Sequence, residues 1–199
     1  MTSDSREKIL AAAKRVAQAR GYSGLNFRDV AEVVGIKAAS IYHHFPSKAD
    51  LGAAVARRYW EDSAAALEAM SAEASDPIRC LSLYPETFRT ALENENRLCL
   101  CSFMAAEYDD LPELVKNEVQ TFADINVAWL SRVLSAAAVT GPEESEQRAR
   151  AIFAAVAGAQ LFARSRSDIS LYDALIVGYR AAGLLPATGE LIADVRCAP

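Results

Sequence analysis

Residues 26–51 read NFRDVAEVVGIKAASIYHHFPSKADL, and the fold turns on how this stretch divides. Asn26 has the chemistry of a helix N-cap, with Asp29 three residues on in the capping-box position. Phe27, Val30, Ala31 and Val34 recur at helical spacing as a short apolar stripe. Gly35 stops it after about two turns, since glycine enters the left-handed conformation of a helix end without a Cβ penalty. Lys37 to His44 is a second short helical segment. Pro46 and Ser47 break it, and Ser47 can cap a longer helix through Leu51, Val55 and Tyr59 toward Met70. Two short helices joined by a tight glycine-bearing turn form the helix-turn-helix pattern. In it the second helix lies in the major groove of DNA.

The neighbouring sequence keeps the same period. Ile9, Ala13, Val16, Ala17 and Arg20 share a face upstream, and Gly21 ends that helix. Downstream, Ser75-Asp76-Pro77 is a start signal for a helix to about Asn94, with Pro85 kinking it. RLCLCSFMAAEYDD, residues 97–110, reads as one helix. Pro112 opens the next, which runs to about Val139, and Gly141-Pro142 is punctuation. Helices over Glu143–Ser165 and Leu171–Ala182 follow. No alternating strand pattern and no internal repeat is present. The expectation is an all-α protein of about nine helices. Residues 1–50 would form a three-helix DNA-binding head, and residues 51–199 a larger helical domain for ligand binding and dimerisation. LLPATGELIADVRCAP, residues 184–199, reads as a loosely held tail.

Composition narrows the class. The chain has 199 residues, 52% of them hydrophobic, which suits a packed core and not a disordered chain. No apolar run approaches the roughly 18 residues of a spanning helix, and the N-terminus lacks the apolar core of a secretion signal. A soluble cytoplasmic protein is expected. Residues 1–60 carry ten Lys/Arg against five Asp/Glu, net +5, while the whole chain is −5. A basic head on an acidic body suggests a head that meets a polyanion. The four cysteines, Cys80, Cys99, Cys101 and Cys197, form no CxxC pair and are too sparse for a disulfide scaffold.

The order of an apolar helix, Gly-Tyr, RDVAEVVGI and IYHHFPSK over residues 9–51 resembles the tetracycline-repressor (TetR/AcrR) family of transcription regulators. The resemblance covers the N-terminal quarter. Beyond it the chain matches only in length and helicity, as that family's divergent ligand domains do. It implies that Tyr42, His43 and Lys48 touch DNA. Tyr offers a hydroxyl, neutral His one N–H, and Lys a full charge to the sugar-phosphate chain. Within the second short helix, Lys37 can reach guanine edges. Ala38 and Ala39 can meet a thymine methyl, and Ser40 can donate or accept. Asn26 and Arg28 face the adjacent backbone. Adjacent His43 and His44 diverge by about 100° on a helix and lack further ligands, so neither a metal site nor a catalytic base is expected. No cofactor is implied.

The rest of the chain carries two further expectations. One is a homodimer on a palindromic operator, because one short helix contacts few base pairs. Ala151, Ala155, Gly158 and Ala159, beside Ile152, Val156 and Phe162, form a small-residue stripe, and Leu171, Leu175, Ile176 and Tyr179 lie on the last helix. In the family such helices make a four-helix interface. The other is a small-molecule site walled by aromatic groups with a few polar ones. Its candidates are Tyr84, Phe88, Phe103, Met104, Glu107, Tyr108, Phe122, Asn126, Trp129, Gln160 and Arg164. Asn126 inside an apolar stripe needs a partner, which can be a ligand, a helix neighbour or water. Together these point to a DNA-binding regulator, a repressor released by its ligand, and not an enzyme. The alternative, an all-α enzyme for an anionic substrate, has only Glu107 and Tyr108 as an acid/base pair. A thiol sensor at Cys99 or Cys101 is a further option, with Arg97 near enough in sequence to lower a thiol pKa.

Overall fold

Helix ends fall where local chemistry puts them. In the computed structural model, which describes residues 2–138 and 141–187, helix α1 spans Thr2–Arg20 and stops at Gly21, whose φ is 71°. Asn26 Oδ1 accepts from the Asp29 N–H at 2.9 Å and starts α2 (Phe27–Val34). Gly35, at φ 75°, closes it by donating to the Ala31 and Glu32 carbonyls. Helix α3 (Ala38–Tyr42) follows. Ser47 Oγ accepts from the Asp50 N–H at 3.2 Å and opens α4 (Lys48–Glu73). Asp76 caps α5 (Pro77–Leu83) through the Ile78 N–H. The remaining elements are α6 (Glu86–Glu93), α7 (Leu100–Ala105), a 3-10 turn (Tyr108–Asp110), α8 (Glu113–Ala136), α9 (Pro142–Arg166) and α10 (Ile169–Ala181), with no strand among the described residues.

Three details differ from the sequence expectation. Residues 77–94 are two helices, because Pro85 has no N–H to continue the ladder. Helix α10 supports the break: the Tyr172 hydroxyl donates to the Pro85 carbonyl at 2.7 Å and Arg180 to the Ser82 carbonyl at 3.0 Å. Residues 97–110 are helical only as α7 and the 3-10 turn, since Glu95 and Asn96 hold positive φ and Cys99, at ψ 129°, is not helical. Arg20 lies off the buried face of α1, exposed and paired with Asp29 at 2.6 Å. Most of the expected loose tail, with Cys197, lies outside the described residues. Leu185 at its start is buried.

The chain packs as two units. The first comprises residues 1–64 and 97–125. Its core joins Ile9, Ala13 and Ala17 of α1, Phe27, Val30 and Ala31 of α2, then Ile41, Phe45, Leu51 and Val55. Glu118 on α8 is only 8% exposed there. Its carboxylate accepts from Arg57 at 2.5 Å and from the Trp60 indole at 2.8 Å. Burial pushes that carboxyl up, but the Arg57 and Trp60 hydrogen bonds outweigh it and hold it below the ordinary range.

The second unit comprises residues 65–96 and 126–199. Tyr84, Phe88, Trp129, Ile152, Val156 and Tyr172 are buried in it. Arg89 clamps Asp173 at 2.7 Å, tying α6 to α10. Residue 50, the expected division, and Ala64, where the opening segment of the first unit ends, both lie inside α4.

Candidate nucleic-acid interface

The short helices α2 and α3 turn Phe27, Val30, Ala31 and Ile41 inward and leave a largely polar edge outside, with Val33 the exposed apolar exception on α2. Ile41 and Phe45 are buried and anchor α3 to the head. Tyr42 points the other way at 58% exposure, its ring set edge-on to Phe27 with centroids 4.6 Å apart. Arg28, Lys37, Ala39 and His43 are exposed, and Ala38 and Ser40 are half-buried. Arg28 and Lys37 hold their charges in solvent, with no ion pair to either among the described residues. His44 is half-buried beside Phe45. Among the described residues no three His, Cys, Asp or Glu side chains are placed to hold a metal.

Two of the expected DNA contacts have other partners here. Asn26 is engaged at both ends of its amide, accepting from the Asp29 N–H and donating to the Gly24 carbonyl at 3.4 Å. It orders the start of α2. Lys48 Nζ donates to the Ser23 carbonyl at 3.1 Å and sits 4.5 Å from the Tyr22 ring centroid.

The expected small-molecule residues fall into separate groups. Tyr84, Phe88, Asn126, Trp129 and Gln160 come together in the second unit and are packed on one another. The Tyr84 hydroxyl donates to Asn126 Oδ1 at 3.0 Å, its ring stacks on Trp129, and Gln160 donates to the Phe88 carbonyl at 2.5 Å. The polar residue in the apolar stripe has a helix neighbour. Arg164 is half-buried at the end of α9. Phe103, Met104, Glu107, Tyr108 and Phe122 belong to the first unit. Phe122 packs on Tyr59. Glu107 accepts from the backbone of Tyr22 and Ser23, and Tyr108 is exposed with Lys116 over its ring. Neither is left as a convergent acid/base pair.

Sequence reasoning missed Ser71, whose hydroxyl accepts from the Trp129 indole at 2.9 Å. It also missed an open cleft of about 270 Å³ bounded by Glu68, Ser71, Cys80, Arg132 and Val133. Nothing local marks either, because their partners lie far apart in the chain.

Cys99 and Cys101 are buried, and burial pushes both thiols up. Arg97 reaches the Arg15 carbonyl at 3.3 Å. Without thiolate, neither sulfur is a ready nucleophile. Peptide-resolved iodoacetamide labelling at neutral pH should leave both unmodified in the native protein and modify both after denaturation. Fast native labelling would reverse that assignment.

On the outer side of α9, Ala151, Ala154, Gly158, Leu161 and Phe162 are exposed. On α10 so are Ala174, Val177, Gly178 and Ala181. Of the stripe expected from sequence, Ile152, Val156, Ala159 and Ile176 are buried in their own unit, and Ala155, Leu171, Leu175 and Tyr179 are half-buried. Ala151, Gly158 and Phe162 remain on the surface.

This fold with this edge defines a helix-turn-helix transcription regulator. The sequence profile of bacterial regulatory proteins of the tetR family matches residues 9–55. A TetR transcriptional regulator from Legionella pneumophila is similar at 31% identity, covering 88% of this chain and 95% of that one, with a TM-score of 0.83. A TetR-family regulator from Agrobacterium tumefaciens is similar at 28% identity, covering 92% and 98%, with a TM-score of 0.84. The HTH-type transcriptional repressor NemR of Escherichia coli K12 is 28% identical over 180 residues, 86% of this chain and 90% of NemR. The chain belongs to the tetR family of bacterial regulatory proteins; it is a regulator and not an enzyme. Among the described residues no helix is long and apolar enough to cross a membrane.

Proposed function

We propose that the protein is a cytoplasmic repressor that binds a palindromic operator as a homodimer and leaves it when a small molecule occupies the C-terminal domain. The head, residues 1–50, reads the operator, and residues 51–199 bind the ligand and the second subunit. The observation that carries this reading is the edge of α3, whose inward side is pinned by Ile41 and Phe45 while Lys37, Ala39, Tyr42 and His43 face outward. The similarity to a named repressor supports the sign of regulation. The exposed small and apolar side chains of α9 and α10 support pairing, since Gly158 and Gly178 have open space where a Cβ would stand. That leaves room for a partner helix at close range.

For the effector, the Tyr84–Trp129–Asn126 cluster is closed, while the cleft at Ser71 and Arg132 adjoins it through the Ser71–Trp129 hydrogen bond. A ligand entering there and separating Trp129 from Ser71 would favour a second conformer. It can shift the balance only by its differential affinity for the two. Lys48, engaged with Ser23 in this structure, would exchange that carbonyl for a phosphate on the operator.

Fluorescence anisotropy on duplexes tiling the DNA upstream of its own gene tests the reading. One fragment should bind tightly with a steep salt dependence. Lys37→Ala should weaken that fragment about tenfold, by losing a base-edge contact. Tyr42→Ala should weaken it less and more uniformly across sequences. Unchanged affinity in both variants would remove α3 as the reading helix.

A further inference from the structure

The turn between α1 and α2 is held from outside the head by a single carboxylate. The Tyr22 N–H donates to Glu107 Oε2 at 2.5 Å, and the Ser23 N–H donates to Oε1 at 3.1 Å. Glu107 lies 85 positions further along the chain, between α7 and the 3-10 turn. Both carboxylate oxygens are thus used on one turn, as charge-assisted bonds. Gly21 fits twice over: its φ is 71°, and a Cβ there would stand 2.3 Å from Glu107 Oε2. From the opposite side Lys48 holds the Ser23 carbonyl and covers the Tyr22 ring. That ring is so close to α4 that a Cβ at Gly52 would meet it at 2.7 Å.

The turn sets the angle at which α2 leaves α1, and α2 carries α3. Leu25, at its end, is fully buried, and Arg20 pairs with Asp29 across it. Whatever fixes residues 21–23 therefore fixes where the DNA-facing edge points. We propose that Glu107 is a positioning residue for operator binding: it holds the α1–α2 turn, and with it α3, to the segment that leads into α8. Helix α8 starts at Glu113 and continues past Asn126 and Trp129. A shift of α8 would reach the head through this carboxylate, without Glu107 touching DNA or ligand. This deepens the regulator reading above and rests on it.

The test uses the full chain, the tiled promoter duplexes, and amide hydrogen exchange without DNA. Glu107→Gln keeps the shape but replaces one acceptor oxygen by an NH2 donor that faces a backbone N–H. Operator affinity should fall about tenfold. The salt slope should stay that of wild type, because no phosphate contact is lost. Lys48→Met should instead lower the slope by about one. In Glu107→Gln the Tyr22 and Ser23 amides should exchange faster while the buried α4 amides stay protected. Wild-type affinity, or unchanged exchange at Tyr22 and Ser23, would overturn the proposal. So would an affinity loss that vanishes at a lower temperature in step with global refolding. If the wild-type protein binds no duplex, the regulator reading fails; the exchange result still reports whether Glu107 holds the turn.

Discussion

A protein carrying Leu161→Glu and Val177→Glu is expected to sediment as a monomer and to lose operator binding at concentrations that saturate the wild type. The two side chains are 59% and 60% exposed on α9 and α10, beside exposed Ala154, Gly158, Phe162, Ala174 and Gly178. Burying a side chain of this kind stabilises an interface by about 1.5–3 kcal/mol. A two-fold interface uses each position twice, so both substitutions count double. The dimer dissociation constant should rise at least about a hundredfold, allowing for the area each residue already buries in its own subunit. Operator affinity should follow, because in the proposed reading each α3 contributes one half-site. Both positions face solvent, so the circular dichroism spectrum of each subunit should not change. Sedimentation velocity decides it. A variant that stays dimeric would place the interface elsewhere.

The second large effect is on stability. Trp129→Ala should destabilise the protein by about 3–5 kcal/mol, the usual cost of truncating a buried aromatic. Trp129 is 2% exposed, stacks on Tyr84 and donates to Ser71. Its loss leaves a cavity, an unsupported Tyr84 ring and a Ser71 hydroxyl without its donor. The melting temperature should fall on the order of 10 °C for a chain of this size. A drop of only a degree or two would mean that the cluster is already loosely packed, and that the effector site is open there in solution.

Much of the head was legible in the sequence because its signals are local. Asn26, Gly35 and Ser47 act within a few residues of themselves. Their hydrogen bonds form where the cap and turn chemistry puts them. The alternation of Ile41 and Phe45 with Tyr42 and His43 told the inner side of α3 from the outer. The candidate site was less legible wherever a side chain had a choice of partner. Lys48 and Glu107 both looked available for a ligand or a phosphate, and both are bound to the backbone of one turn. The stripe on α9 looked like one face. Three-dimensional packing divided it, burying Ile152, Val156 and Ala159 and leaving Ala151, Gly158 and Phe162 outside.

The sequence by itself determined an all-α chain, a helix-turn-helix near its start, and a positive head on a negative body. Each of these depends on periodicity, capping or charge counting, which act over one or two helical turns. Only the tertiary structure decided that Glu107 clamps residues 22 and 23, that Glu118 is buried under Arg57 and Trp60, and that Tyr84 satisfies Asn126. Such pairs join groups 42 to 85 positions apart. What brings them together is the burial of apolar surface, which has no direction of its own and does not name the partner that a given helix face will meet.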